Sequence, residues 1–253
     1  MKNLIKKSVR KVAQSAGYDI IQGKASEFPP DFNEEHVSII KLVRPYTMTS
    51  NERIFTLIES VKYIVNNKIP GDIVECGVWK GGSMMTVAKT LLNLNKIEKD
   101  LYLFDTFEGM PEPSSDDISF SEVPASKEFE KTKISQDSSE WCRATLDDVK
   151  RAIFSTKYPQ EKFHLIKGKV EDTIPSNAPN KISLLRLDTD WYQSTKHELI
   201  HLFPRLTKNG VLIIDDYGYW QGARKAVDEY FSENNISILL NRIDETGRVA
   251  IRQ

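Results

Sequence analysis

Five short runs between residues 72 and 216 are mostly apolar and end in glycine or an acid: DIVECG (72–77), LYLFD (101–105), KFHLIKG (162–168), SLLRLD (183–188) and GVLIIDD (210–216). Strands apolar on both sides need cover on both sides, so these runs belong in a sheet enclosed by other layers. Segments of helical spacing stand between and around them: residues 51–69, 84–95, 145–156, 195–206 and 224–234. Strand and helix alternate for about 140 residues, which predicts a doubly wound, Rossmann-like α/β sheet. The chain then closes with ISILLNRI, the turn DETG and RVAIR, an antiparallel edge hairpin. A parallel sheet ending in such a hairpin is the usual shape of class I methyltransferases that use S-adenosylmethionine (SAM), and the fold is expected to be of that kind.

The bulk numbers exclude several classes. A net charge of −1 gives no reason to expect nucleic acid as the main partner. Cys76 and Cys142 are too few for a disulfide framework and lack metal-site spacing, which fits a reducing cytoplasm. No run approaches a membrane span, no secretory signal opens the chain, and stable membrane insertion is not expected. The basic amphipathic stretch 1–17 is expected to pack on the body or on a second subunit, and a homo-oligomer is expected. Residues 1–50 read as an N-terminal helical or lid segment. Residues 51–253 read as one catalytic domain, with the polar, proline-interrupted stretch 112–143 as an insertion or lid.

Ligands of such sheets bind at the carboxyl ends of the strands. At the first, GDIVECGVWKGGS sets Glu75 beside Gly77, Gly81, Gly82 and Ser83. It matches neither a dinucleotide fingerprint nor a P-loop, so a ligand with an amino-acid part and no phosphate suits it better. Asp105, ending the next strand, is placed to accept from ribose hydroxyls. Asp188 and Asp190 end or follow the fourth strand, and Asp215 and Asp216 end the fifth. Adjacent strands lie about 4.8 Å apart, so the four acids can converge. Lysine and arginine are scarce beside them. Arg186, on the same strand face as Asp188, offers an ion pair as the alternative to a cation. Oxygen-only ligands favour a hard ion, Mg²⁺ first.

The stretches PYTM (45–48), GDIVECGVWKGGS (71–83), LFDTFEGMP (103–111), LRLDTDWYQST (185–195) and IIDDYG (213–218) resemble the macrocin O-methyltransferase family (TylF, MycF and NovP). The resemblance implies a SAM- and Mg²⁺-dependent enzyme that methylates a hydroxyl of a sugar or glycosylated metabolite, with a catechol-type small molecule as the alternative acceptor. It implies Asp188, Asp215 and Asp216 as metal ligands and Asp188 as general base. Asp190, two residues on, is the second candidate for the base. The SAM-contacting segments would include Thr47, Met48, Glu75, Cys76, Gly77, Val78, Trp79, Asp105, Thr106, Phe107 and Gly109. Residues 1–44 and 112–143 follow the family least.

Other features compete. HELIH (197–201) satisfies the H-E-x-x-H form of zinc hydrolases, although its helix sits inside the alternating pattern and carries sheet-facing leucines. Trp79, Tyr192, Tyr217, Tyr219 and Trp220 follow strand ends and are candidates to wall a pocket.

Overall fold

The computed structural model of the chain describes residues 12–15 and 28–253. It divides into two compact units, Met1–Asn33 and Glu34–Gln253. In the first, residues 12–15 are helical; the rest of the amphipathic stretch 1–17 lies outside the described residues. No helix among the described residues is long and apolar enough to cross a membrane.

The second unit is built on a seven-stranded sheet. Its spatial order is β5 (Phe163–Lys167), β2 (Leu101–Asp105), β1 (Asp72–Cys76), β6 (Ile182–Leu187), β7 (Leu206–Ile214), β9 (Arg248–Ile251), β8 (Asn241–Arg242). The first five are parallel, and β9 runs antiparallel to both neighbours. The C-terminal hairpin therefore forms, with its second strand inside and its first, only two residues long, at the edge. Ile236, Ile238 and Leu240 pack on the core instead of extending that first strand. Strand order reverses between β1 and β6, which opens the crevice where α/β sheets bind ligands.

Side-chain alternation decides what each face carries. Val74 and Cys76, Leu185 and Leu187, and Leu212 and Ile214 share one core with Leu199 and Leu202 of α7 (Tyr192–Leu202) and Val227 of α8 (Gln221–Glu233). The opposite positions Glu75 on β1 and Arg186 on β6 are register partners. On that side lie α2 (Asn51–Asn66) and α3 (Gly82–Asn93). Helix α2 buries Ile54, Leu57, Ile58, Val61 and Ile64 at helical spacing. It starts where Ser50 accepts the Arg53 N–H at 3.1 Å, an N-cap. Helix α1 (Glu34–Val43) also belongs to this unit, packed on α2 and α3.

The stretch 112–143 is ordered and pinned rather than irregular. It contains α4 (Ser126–Thr132) and a small hairpin, β3 (Lys133–Ser135) with β4 (Ser138–Ser139). Bridges join Ile118 to Pro124 and Ser119 to Trp220. Phe129 is fully buried, and Asp117 accepts the Tyr192 N–H at 2.7 Å. Trp141 meets Trp191 and Trp220 edge-on, with ring centroids 5.5 and 6.1 Å away. Polar composition concealed this small apolar core. His164 of β5 is half-exposed and faces Asp100 at 2.7 Å. The remaining helices, α5 (Leu146–Phe154) and α6 (Val170–Thr173), follow the insertion and β5.

Candidate active site

The carboxyl ends of β1, β2, β6 and β7 surround a cavity of about 430 Å³. On the β1–β2 side its wall includes Gly77, Val78, Trp79, Gly82, Ser83 and Asp105. Gly77 has φ +81°, and a Cβ there would overlap the carbonyl of Asp188. Both atoms in that clash are fixed by backbone, so only glycine lets the two strand ends approach. Gly77→Ala is expected to cost roughly 1–3 kcal/mol of stability and most of the affinity for S-adenosylhomocysteine, read by thermal melts and calorimetry.

Asp105, expected at the ribose, is held by three backbone N–H groups. Its Oδ2 accepts the N–H groups of Val78 (2.6 Å) and Trp79 (3.0 Å), and its Oδ1 accepts that of Phe107 (2.6 Å). Trp79 and Phe107 both hold positive φ, so the carboxylate braces two left-handed turns. Burial pushes its pKa up while these three N–H groups pull it down.

Of the other expected SAM contacts, Thr47, Met48, Thr106 and Gly109 line the cavity. Glu75, Cys76 and Phe107 are buried and do not. Strand alternation explains the first two. Glu75 points to Arg186, whose Nη1 lies 2.7 Å from its Oε1, and its Oε2 has no hydrogen bond of good geometry. Burial raises the Glu75 pKa to about 7 against the pull of Arg186. Cys76 turns to the opposite core.

The acids converge. Asp188, Asp215 and Asp216 each offer an oxygen atom, all within 4.8 Å of one another. The chain is not poor in cations here, as the sequence had suggested. Buried Arg186 bridges Glu75, Asp188 (2.7 Å) and Asp215 (2.6 Å). Arg53, from α2, takes the other oxygen of Asp215 and pairs with Asp244 at 2.8 Å. Nothing local marks Arg53; it is 162 residues from Asp215. Burial, then Asp215 and Asp216, hold the Asp188 carboxyl well above the usual range against Arg186. Burial, then Asp190 and Asp215, do the same for Asp216. Burial and then Asp188 push Asp190 up to about 7. Such crowding favours a bound cation or a shared proton, and an all-carboxylate donor set fits a hard divalent ion.

Asp244, in the C-terminal turn, anchors Arg53 from outside. Against burial, the Ser50 hydroxyl, the Gly247 N–H and Arg53 hold its pKa down at about 2. A depressed carboxyl stabilises the fold above its unfolded pKa and loses that contribution as pH falls through its folded value. Asp244→Asn is expected to cost about 2 kcal/mol near neutrality, with the gap to wild type closing between about pH 4 and pH 2 in urea melts.

The HELIH string does not build a zinc site. The His197 and His201 rings lie 4.4 Å apart, and His197 Nε2 is 3.1 Å from the Ile174 carbonyl. Glu198 is fully buried, 2.9 Å from the Thr189 hydroxyl. Among the described residues only the aspartates gather three ligating side chains. Of the expected wall aromatics, Trp79, Tyr219 and Trp220 line the cavity. Tyr192 and Tyr217 instead donate to Glu229 and Asp228 of α8, each at 2.7 Å. Arg53, Trp141, Cys142 and Lys169 also line it and were not foreseen.

The model of the macrocin-O-methyltransferase (TylF) family matches residues 22–252. The chain belongs to that family. This TylF-family protein is a SAM-dependent O-methyltransferase. It is 30% identical over 202 residues, 80% of this chain and 74% of the relative, to 8-demethyl-8-(2,3-dimethoxy-alpha-L-rhamnosyl)-tetracenomycin-C 4'-O-methyltransferase of Streptomyces olivaceus. It is 28% identical over 202 residues, 80% of this chain and 76% of the relative, to mycinamicin III 3''-O-methyltransferase of Micromonospora griseorubida. Among solved structures, the O-methyltransferase NovP superposes with a TM-score of 0.72 at 26% identity, covering 82% of each chain. The mixed sheet with antiparallel C-terminal strands is the fold these methyltransferases share.

Proposed function

We propose that this enzyme transfers a methyl group from SAM to a hydroxyl of a sugar or glycosylated metabolite, with a divalent ion, Mg²⁺ first, held by Asp188, Asp215 and Asp216. The observation that carries the reading is the three aspartate oxygens within 4.8 Å of one another, on the wall of the cavity that also holds Gly77 and Asp105. The relatives are named for 4'-O and 3''-O methylation of glycosylated compounds, which supports the sugar acceptor.

A sugar hydroxyl is a weak nucleophile, and a divalent ion would supply charge stabilisation for its oxygen as the proton leaves. SAM supplies a methyl already activated by its sulfonium. The chain's own residues then have three tasks. Asp105 fixes the turn from Gly77 to Trp79 against which the cofactor would lie. Arg186 and Arg53 hold Asp215 from both of its oxygens. Asp190 takes the hydroxyl proton. The family resemblance implies Asp188 for that last task, but Asp188 is paired with Arg186 and grouped with the ligand set. Asp190 has no arginine partner among the described residues and stands outside the ligand trio, which leaves its carboxylate for the hydroxyl proton. The bonds balance simply: carbon leaves sulfur for oxygen, and the oxygen's proton passes to Asp190.

The test is calorimetry with S-adenosylhomocysteine and Mg²⁺, followed by mass screening of glycosides, free sugars and catechols for a gain of about 14 mass units per transferred methyl. Methylated glycosides that require Mg²⁺ support the reading. Methylation of catechols alone, or full activity in excess chelator, defeats it.

A further inference from the structure

Cys76 and the HELIH helix are left over from the chemistry above, and they meet beneath the acid loop. Arg186 and Asp188 occupy alternate positions on one face of β6 and its extension, so Leu187 and Thr189 turn to the other. On that other side the Thr189 hydroxyl donates to Glu198 Oε1 at 2.9 Å. We propose that Glu198 is a positioning residue, whose buried carboxyl clamps Thr189 and thereby fixes the Asp188 and Asp190 side chains for the ion and the acceptor. This rests on the reading of Asp188, Asp215 and Asp216 as ion ligands.

The energetics of the position support it. Glu198 is fully buried on α7, beside Leu199 and Leu202, which are equally inaccessible. A leucine there would cost less than a carboxyl, because a polar group taken out of water must recover its hydrogen bonds. Oε2 recovers none. Neither lysine nor arginine pairs with Glu198 among the described residues, and burial holds its pKa well above the usual range. Cys76 is close enough that the Glu198 carboxyl is the second cause, after burial, of the raised thiol pKa. A costly group that ties the loop at Thr189, with the Cys76 thiol as its other neighbour, is explained by what Thr189 does.

Thr189 is the middle of the loop. On one side the Asp188 N–H donates to the Cys76 carbonyl at 2.9 Å. On the other, the Trp191 N–H donates to the Thr189 carbonyl at 2.8 Å, which bends the chain through Asp190 at φ +70°. Backbone bonds thus hold both ends, and Glu198 holds the side chain between them. With Thr189 clamped, the two flanking carboxyls have less freedom to turn away from Asp216.

Thr189→Val, Glu198→Leu, Glu198→Gln and the double variant Thr189→Val/Glu198→Leu would be titrated with Mn²⁺ and, separately, with S-adenosylhomocysteine. Loss of a hydrogen bond made directly to a metal ligand typically weakens affinity about tenfold to a hundredfold; Glu198 acts one residue further out, through Thr189, so a loss of about tenfold is expected for Thr189→Val and Glu198→Leu. The double variant is expected to be no weaker than the worse single one, since both cut one tie. S-adenosylhomocysteine affinity is expected to stay within about twofold throughout, because no cofactor contact changes. Glu198→Gln keeps an acceptor oxygen for Thr189 and is expected to keep Mn²⁺ affinity. Wild-type Mn²⁺ affinity in both Thr189→Val and Glu198→Leu overturns the proposal, as does a Glu198→Gln as weak as Glu198→Leu. A wild-type protein that binds neither Mn²⁺ nor Mg²⁺ overturns the ion reading itself, and this clamp with it.

Discussion

Asp216→Asn and Asp190→Asn are expected to cut methyl transfer steeply, in two distinguishable ways. Asp216 is one of three carboxylates whose oxygens cluster within 4.8 Å, and an amide is a neutral, weaker ligand. Its variant is expected to lose divalent-ion affinity, and with it several kcal/mol of transition-state stabilisation, a fall in kcat/KM of about a thousandfold or more. Asp190→Asn removes the proposed base and leaves the three ligand carboxylates in place, although it neighbours Asp216. Its rate is expected to fall roughly a hundred- to ten-thousand-fold while ion affinity is retained. Asparagine also tolerates the left-handed φ of +70° at this position, so the loop survives the change. Neither variant is expected to weaken S-adenosylhomocysteine, whose proposed contacts lie at Gly77 to Trp79 and at Asp105. The measurements are single-turnover rates at saturating SAM and calorimetric titration of Mg²⁺. If Asp190→Asn keeps its rate while Asp188→Asn loses rate and keeps ion affinity, the base is Asp188.

Why these residues could be found in the sequence, and others not, is a matter of range. Asp188, Asp215 and Asp216 end apolar runs, and strand-end chemistry follows from local pattern alone. The same holds for Gly77 and Asp105. Glu75 and Cys76 lie in the same segment, but their side chains leave the cavity on opposite faces of β1, a consequence of period-two alternation in a buried strand. Arg53 had no signal, because it reads as one charged residue on an amphipathic helix. Only the packing of α2 against the ends of β7 and the C-terminal turn brings it to Asp215 and Asp244. Trp141 was hidden similarly. The stretch 112–143 is polar along the chain, and its buried residues, such as Ala125 and Phe129, are too widely spaced to read as a period. The partners of Ala125 and Trp141 are Trp191, Trp220 and Ala223, far away in sequence.

Arg186→Leu tests how the acids are tolerated at all, and it is expected to be the most destabilising single change in the domain. The guanidinium is buried and donates to Glu75, Asp188 and Asp215 within 2.6–2.7 Å. Removing one member of a buried ion-pair network costs about 3–5 kcal/mol, because uncompensated charge stays behind. For a domain of this size that is a melting point lower by roughly 10 °C. The loss should depend on pH. Glu75 already has its pKa raised to about 7, and without Arg186 it rises further. A group raised in the folded state supports folding below its unfolded pKa and withdraws that support as pH climbs through the folded one. Below about pH 7 Glu75 keeps its proton in both folded proteins, so the gap between Arg186→Leu and wild type is expected to stay level there and to widen as pH rises above about 7. Adding Glu75→Gln should recover part of it by removing the most deeply buried orphaned charge. Mg²⁺ should recover a different part, since an ion on Asp188 and Asp215 neutralises the other two. A melting point within about 2 °C of wild type would show that the network contributes little, and that the aspartates are held in place by backbone alone.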